Sequence, residues 1–270
     1  MHARGASRAA EAAPRGSAPA APQIVTTVHG SAAEAVGAVA KELADLVRER
    51  PDAVLGLATG GTMVGLYAEL VRLSRDEGLD LSGVTTFNLD EYLGLAPGDE
   101  RSFRAFMREH LFEPLGHDDR GRHHFPDVAL AERDPLAASR AYEDAIAEAG
   151  GIDLQLLGLG RNAHVAFNEP GSLPASRTRV VELDASTRAD AEATFGSLDA
   201  VPTHAITVGP ATILEARRLR VLAFGERKAE AVARTLTGAP SVEVPSTVLR
   251  GHADVHLVLD LPAASGIGRR

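Results

Sequence analysis

Val54-Leu55-Gly56-Leu57-Ala58-Thr59-Gly60-Gly61-Thr62 is the stretch on which the fold turns. Its first four residues are apolar enough for a short buried strand, and the glycine pair supplies the turn that ends it. Met63, Leu66, Tyr67, Leu70 and Leu73 then recur at the spacing of one buried helix face. Strand, Gly-rich turn and helix in succession predict a parallel sheet covered on both faces.

The alternation continues on either side. Upstream, residues 23–28 read as a strand, and Ser31 caps a helix whose Glu34, three residues on, completes a capping box. Val36, Val39, Ala40, Leu43 and Val47 mark that helix's buried face. Downstream, 84–89 is a third strand. Asp134-Pro135 reads as a cap with proline at the first helical position, and Gly150-Gly151 ends that helix. Residues 152–157 are apolar enough for a central strand. Residues 219–224 and 255–259 are later strands, separated by a helix that starts near Glu226. Neither an internal repeat nor a mid-chain linker interrupts the pattern. The expectation is one α/β domain over 23–262 with a mostly parallel sheet, a disordered N-terminal tail over 1–22 and a flexible C-terminal tail over 263–270.

Composition narrows the function. The chain has 28 basic and 37 acidic side chains, a formal net charge of −9. That balance argues against nucleic acid or an anionic membrane surface as a partner, so an anionic ligand needs a local site. There is no cysteine, which excludes disulfides, thiolate catalysis and cysteine-ligated metal; a reducing compartment fits. No apolar run approaches the roughly 20 residues of a membrane span. Residues 1–22 are rich in Ala, Arg, Pro, Ser and Gly and hold no apolar signal core, although an Arg-containing start also fits an organelle transit peptide. The expected location is the cytoplasm.

In open parallel sheets, ligands bind beyond the carboxyl ends of the strands. Four such ends carry unusual residues: Thr59-Gly60-Gly61-Thr62, Asp90-Glu91-Tyr92, the run from Gly158 through His164 to Pro170, and Gly225-Glu226-Arg227-Lys228. If the strands are parallel, all four meet on one rim. The first suits a phosphate, because glycines let backbone N–H groups approach, two threonine hydroxyls donate, and the next helix presents its positive end. It lacks the Gly-Lys-Ser/Thr ending of a Walker A loop, and a plain Gly turn reads the same way. Lys228, in the first turn of a helix, opposes the dipole unless an anion lies between them; a solvated surface lysine is the alternative. Asp90 directly follows a buried strand and suits a general base tuned by burial and by Glu91, or else a helix or turn cap. His164 stands two residues after Asn162 and five before Glu169, so Glu169 could orient an imidazole that exchanges protons with substrate. A structural or solvated loop histidine has the same local sequence. His123-His124 lacks a third ligand at metal spacing, and no metal is expected.

Together these segments resemble the glucosamine-6-phosphate deaminase family over nearly all of residues 23–262. The landmarks are the run from Leu57 to Thr62, Phe87-Asn88-Leu89-Asp90-Glu91-Tyr92, residues 158–170, Ser176-Arg177-Thr178-Arg179 and Ala205-Ile206-Thr207-Val208-Gly209. The resemblance implies a Rossmann-like three-layer sandwich and assembly as a homo-oligomer, up to a hexamer. It also implies conversion of glucosamine 6-phosphate to fructose 6-phosphate and ammonium without a cofactor. In that reaction His164 opens the pyranose ring, held by Glu169 and assisted at Asn162. Asp90 moves the C2 proton to C1, and Thr59, Gly60, Gly61, Thr62 and Lys228 hold the phosphate.

Three positions depart from the family pattern. Ala163 stands where glycine is usual, Ala193 where a phosphate-binding arginine is expected, and Val181 where allosterically regulated members carry lysine; Ser172 and Arg179 remain. Altered chemistry on a related amino-sugar phosphate (dehydration, or isomerisation without deamination), hydrolysis like that of 6-phosphogluconolactonase, and a non-catalytic sugar-phosphate sensor are the competing readings. The continuation Phe167-Asn168-Glu169-Pro170 and the Asp90-Glu91-Tyr92 strand end separate the chain from the lactonases. An acidic chain without a DNA-binding module does not suit a sensor.

Overall fold

The computed structural model describes residues 24–117 and 121–268; the tail expected over 1–22 lies outside the described residues. The first half holds β1 (Val25–His29), α1 (Ala32–Glu49), β2 (Val54–Leu57), α2 (Gly61–Glu77), β3 (Thr85–Asn88) and β4 (Asp90–Tyr92). Next come α3 (Phe103–Met107), β5 (His123–His124), α4 (Val128–Arg133), α5 (Pro135–Glu148) and β6 (Leu154–Gly158). The remainder is β7 (Arg179–Glu182), α6 (Ala185–Phe195), β8 (His204–Thr207), α7 (Pro210–Leu214), β9 (Leu219–Ala223), α8 (Ala229–Leu236), β10 (Val255–Asp260) and α9 (Leu261–Ala264).

A seven-stranded sheet in the order β1-β10-β9-β6-β2-β3-β5 forms the centre, and its neighbours pair parallel throughout. Every residue of β2 and β9 is buried. Successive side chains point to opposite faces, so continuous burial means that helices cover both faces, as in a three-layer α/β sandwich. The helix faces read from spacing pack into this core: Val39, Ala40, Leu43 and Val47 of α1 and Met63, Leu66, Tyr67, Leu70 and Leu73 of α2 are buried. Ser31 caps α1 by accepting the Glu34 N–H at 3.2 Å, while the Glu34 carboxylate reaches back one residue further than expected, to the Gly30 N–H at 3.0 Å.

A second, three-stranded antiparallel sheet, β4-β8-β7, went unforeseen. Leu89 joins the two sheets: its N–H donates to Leu57 of β2, and its carbonyl accepts from Val208, beside β8. What reads as one strand ending at 89 is therefore a strand that leaves the main sheet and enters another. The chain also packs beyond 262, where a flexible tail was expected. Asp260 caps α9 by accepting the Ala263 N–H at 2.9 Å and also holds the Gly225 N–H. Ala263 is fully buried, and a Cβ at Gly266 would lie 2.6 Å from the Ala229 carbonyl oxygen.

The strand read over 219–224 carries a buried charge that the sequence reading did not single out. Arg220 on β9 is gripped by both Glu42 oxygens of α1, at 2.9 and 2.7 Å from Nε, and by Asp254 at 2.8 Å. Removing one partner of a buried pair costs more than the pair contributes, because a charge is left unsatisfied. Glu42→Ala should lower unfolding stability by about 2 kcal/mol, short of the full penalty since Glu42 is partly exposed and Asp254 remains. A urea titration with a loss under about 0.5 kcal/mol would contradict this.

Candidate active site

β9, β6, β2 and β3 are adjacent and parallel, so the four unusual strand ends do meet on one rim. Chain order reverses between β2 and β6: β3 and β5 lie to one side of β2, β6 and β9 to the other. At such a switch point the loops part and leave a crevice. Here it is a cavity of about 210 Å³, lined by Thr59, Gly60, Gly61, Thr62, Asp90, Gly160, His164 and Lys228 together with Leu89, Phe103, Ala166 and Phe167.

One end is built for an anion. Gly60, at φ 103°, precedes α2 without a side-chain cap, and no acidic residue stands in the first helical turn. The N–H groups there keep their donors for a ligand, and the dipole of a 17-residue helix adds to them. Lys228 is half-buried in the turn before α8, and its side-chain ammonium has no hydrogen-bond or ion-pair partner among the described residues. Burial pushes its pKa down, opposed by the charge of Asp190 and assisted by that of Arg161. An unpaired cation facing a cradle of free N–H groups accounts for its unfavourable place at a helix start.

The other end is acidic. Asp90 is 6% exposed; burial first, and the neighbouring Glu91 second, push its pKa up to about 8 against the pull of the Phe167 N–H. The capping role that the sequence left open for Asp90 falls to Glu91, whose carboxylate accepts the N–H groups of Tyr92, Phe103 and Arg104, each at 2.9 Å. Successive strand residues face opposite ways, so one carboxylate fixes α3 while the other faces the cavity. Tyr92, Phe103, Phe167 and Phe195 pack together behind them, under the small sheet.

His164 completes the wall. Its Nδ1 lies 3.1 Å from Glu169 Oε2 and 3.3 Å from the Thr187 hydroxyl, and its Nε2 carries no bond to a described residue. Asn162 ties the arrangement down: its amide donates to Glu169 Oε2 at 2.7 Å, and its carbonyl accepts the His164 N–H at 3.1 Å. Burial alone would raise the Glu169 pKa, but the bonds from His164, Thr187 and Asn162 prevail and lower it. An ionised Glu169 accepts the Nδ1–H and so leaves Nε2 for the cavity. Gly160 makes room for the ring, since a Cβ there would lie 2.4 Å from Nε2.

Ala163 takes φ 69°, in the left-handed region where the family's glycine would be at ease. The strain of about 1–2 kcal/mol is partly offset by its fully buried methyl, worth roughly 0.8 kcal/mol. Ala163→Gly should therefore change stability by at most about 1 kcal/mol, towards greater stability. A urea midpoint showing a loss above about 1 kcal/mol would show that packing outweighs strain.

All nine residues singled out from sequence thus belong to one place, seven lining the cavity and Asn162 and Glu169 standing behind His164. Thr187 and Phe103 were missed. Thr187 sits 23 positions after His164, and nothing in its local sequence signals the contact. Three other histidines are held within the fold: His123 and His124 stack on Phe112 and Phe87, and His252 bonds the Ala216 carbonyl at 2.7 Å. Among the described residues no group of three His, Cys, Asp or Glu side chains could hold a metal ion. A larger cavity of about 820 Å³ lies apart, lined mainly by apolar residues such as Ile24, Leu236 and Pro245. Its arginine, Arg250, is engaged with carbonyls at the end of α8, and none of the residues singled out from sequence as catalytic or phosphate-binding lines it.

A sequence profile of the family described as glucosamine-6-phosphate isomerases/6-phosphogluconolactonase matches residues 27–257. The chain is 46% identical to a glucosamine-6-phosphate deaminase of Bacillus velezensis over 83% of its own length and 92% of that protein's. It is also 46% identical to glucosamine-6-phosphate deaminase 2 of Giardia intestinalis, over 85% and 86% of the two chains. A solved structure described as a monomeric glucosamine-6-phosphate deaminase superposes with a TM-score of 0.85 at 41% identity, covering 90% of this chain and all of that one. The 6-phosphogluconolactonase of Trypanosoma brucei, 22% identical with a TM-score of 0.71 over 92% of this chain and all of that one, shares the fold.

Proposed function

The chain belongs to the family of glucosamine-6-phosphate isomerases and 6-phosphogluconolactonases, and we propose that it converts glucosamine 6-phosphate to fructose 6-phosphate and ammonium. The observation that carries this reading is the union, in one cavity of about 210 Å³, of an anion cradle, a buried carboxyl and an oriented imidazole. The phosphate docks on the N–H groups and hydroxyls of Thr59, Gly60, Gly61 and Thr62 and on Lys228. Nε2 of His164 exchanges a proton with the ring oxygen and opens the pyranose. Glu169 stabilises the imidazolium, and Asn162 keeps the pair in register. Asp90 then takes the C2 proton and returns it to C1 through an enolamine, and hydrolysis of the ketose imine releases ammonia. A carboxyl whose pKa lies near 8 gives up and regains a proton with little driving force either way.

The proposed place of this reaction is the cytoplasm; no helix among the described residues is long and apolar enough to cross a membrane. The resemblance implies a homo-oligomer, up to a hexamer, whereas the solved relative of 41% identity is described as monomeric. The experiment is to incubate the purified chain with glucosamine 6-phosphate, its N-acetylated form and its galacto epimer, assaying ammonium and fructose 6-phosphate. Equimolar appearance of both from glucosamine 6-phosphate is expected. Consumption of substrate without ammonium would replace deamination by isomerisation or dehydration alone.

A further inference from the structure

Arg161 stands in the loop between Gly160, which lines the cavity, and Asn162, which orients the catalytic pair. Its side chain is exposed and forms a two-pronged ion pair with Asp190 of α6, Nε donating to Oδ2 at 2.7 Å. Asp190 lies one helical turn beyond Thr187, which touches His164. Both charges act on Lys228, the lysine at the anion-binding end. A carboxylate at the edge of a phosphate site repels the ligand unless something cancels it.

We propose that Arg161 sets the cavity's affinity for the substrate phosphate by cancelling the Asp190 carboxylate beside it. With the pair formed, the Lys228 charge faces the incoming dianion unopposed. With Arg161 removed, Asp190 offsets Lys228 and the site weakens. With Asp190 neutralised, Arg161 is released and adds a second cation to the same end. This inference rests on the phosphate reading given above.

A purely mechanical role for the pair, fastening α6 to the catalytic loop, makes a different prediction. Both substitutions break the same contact, so a fastening role requires both to impair the enzyme. The electrostatic role requires opposite signs. Arg161→Ala should raise KM for glucosamine 6-phosphate about tenfold, and Asp190→Asn should lower it about threefold, the changes falling on KM rather than kcat. Both effects should shrink as salt rises towards 1 M. Inorganic phosphate, as a competitive inhibitor, should follow the same order. Equal directions of change, or KM values that do not move while the parent enzyme turns over, would overturn the inference. If Arg161→Ala fails to fold, Asp190→Asn decides alone, because only the electrostatic role lets it tighten binding. A parent chain that releases no ammonium sinks the functional reading instead.

Discussion

Asp90→Asn should lower kcat by roughly a thousandfold while leaving KM for glucosamine 6-phosphate within about threefold, because the base contributes to the transition state and little to phosphate binding. The same change should stabilise the protein. Burial and Glu91 push the Asp90 pKa up to about 8, so the folded chain keeps a proton that the unfolded chain releases near pH 4. The folded state binds more protons in that window, and parent stability therefore falls as pH rises from about 4 to about 8. Asn cannot ionise, so its stability advantage should be larger at pH 8 than at pH 5. Urea unfolding at the two pH values checks this; a pH-independent difference would mean that Asp90 keeps an ordinary pKa. Catalysis responds in the opposite direction, since the base works only when deprotonated. The parent's kcat/KM should climb towards pH 8 on a limb that Asp90 sets.

Gly160→Ala should reduce turnover on the order of a hundredfold with unfolding stability within about 1 kcal/mol of the parent. The added Cβ would lie 2.4 Å from the imidazole, and the ring, at the end of a rotatable side chain, is what yields. The fold tolerates that rotation; the reaction does not, since misplacing a catalytic group by about 1 Å costs roughly this factor. Steady-state kinetics beside a urea titration separates the two effects. Unchanged kcat would mean that His164 need not stand where it does.

The main sheet was legible because its strands are continuous apolar runs flanked by turn glycines and capped helices, and both signals are local. The rim was legible for a related reason: parallel strands place their loops on one side whatever their order. The small sheet was not. β4 has three residues, begins two positions after Asn88 and pairs with β8 more than a hundred positions later, so neither length nor alternation announces it. Arg220 was hidden because a buried charge is decided by partners on α1 and beside β10, far away in sequence. The split between Asp90 and Glu91 has the same origin. Adjacent carboxylates look alike until the helix that one of them caps is in place.

The most direct test of one shared cavity is a crystal structure with an open-chain 2-amino-hexitol 6-phosphate. The phosphate should contact the N–H groups of residues 59–62 and Lys228, with C2 about 3–3.5 Å from an Asp90 oxygen and the O5 hydroxyl within reach of His164 Nε2. A phosphate seated elsewhere, or a C2 that Asp90 cannot reach while His164 holds O5, would contradict the account.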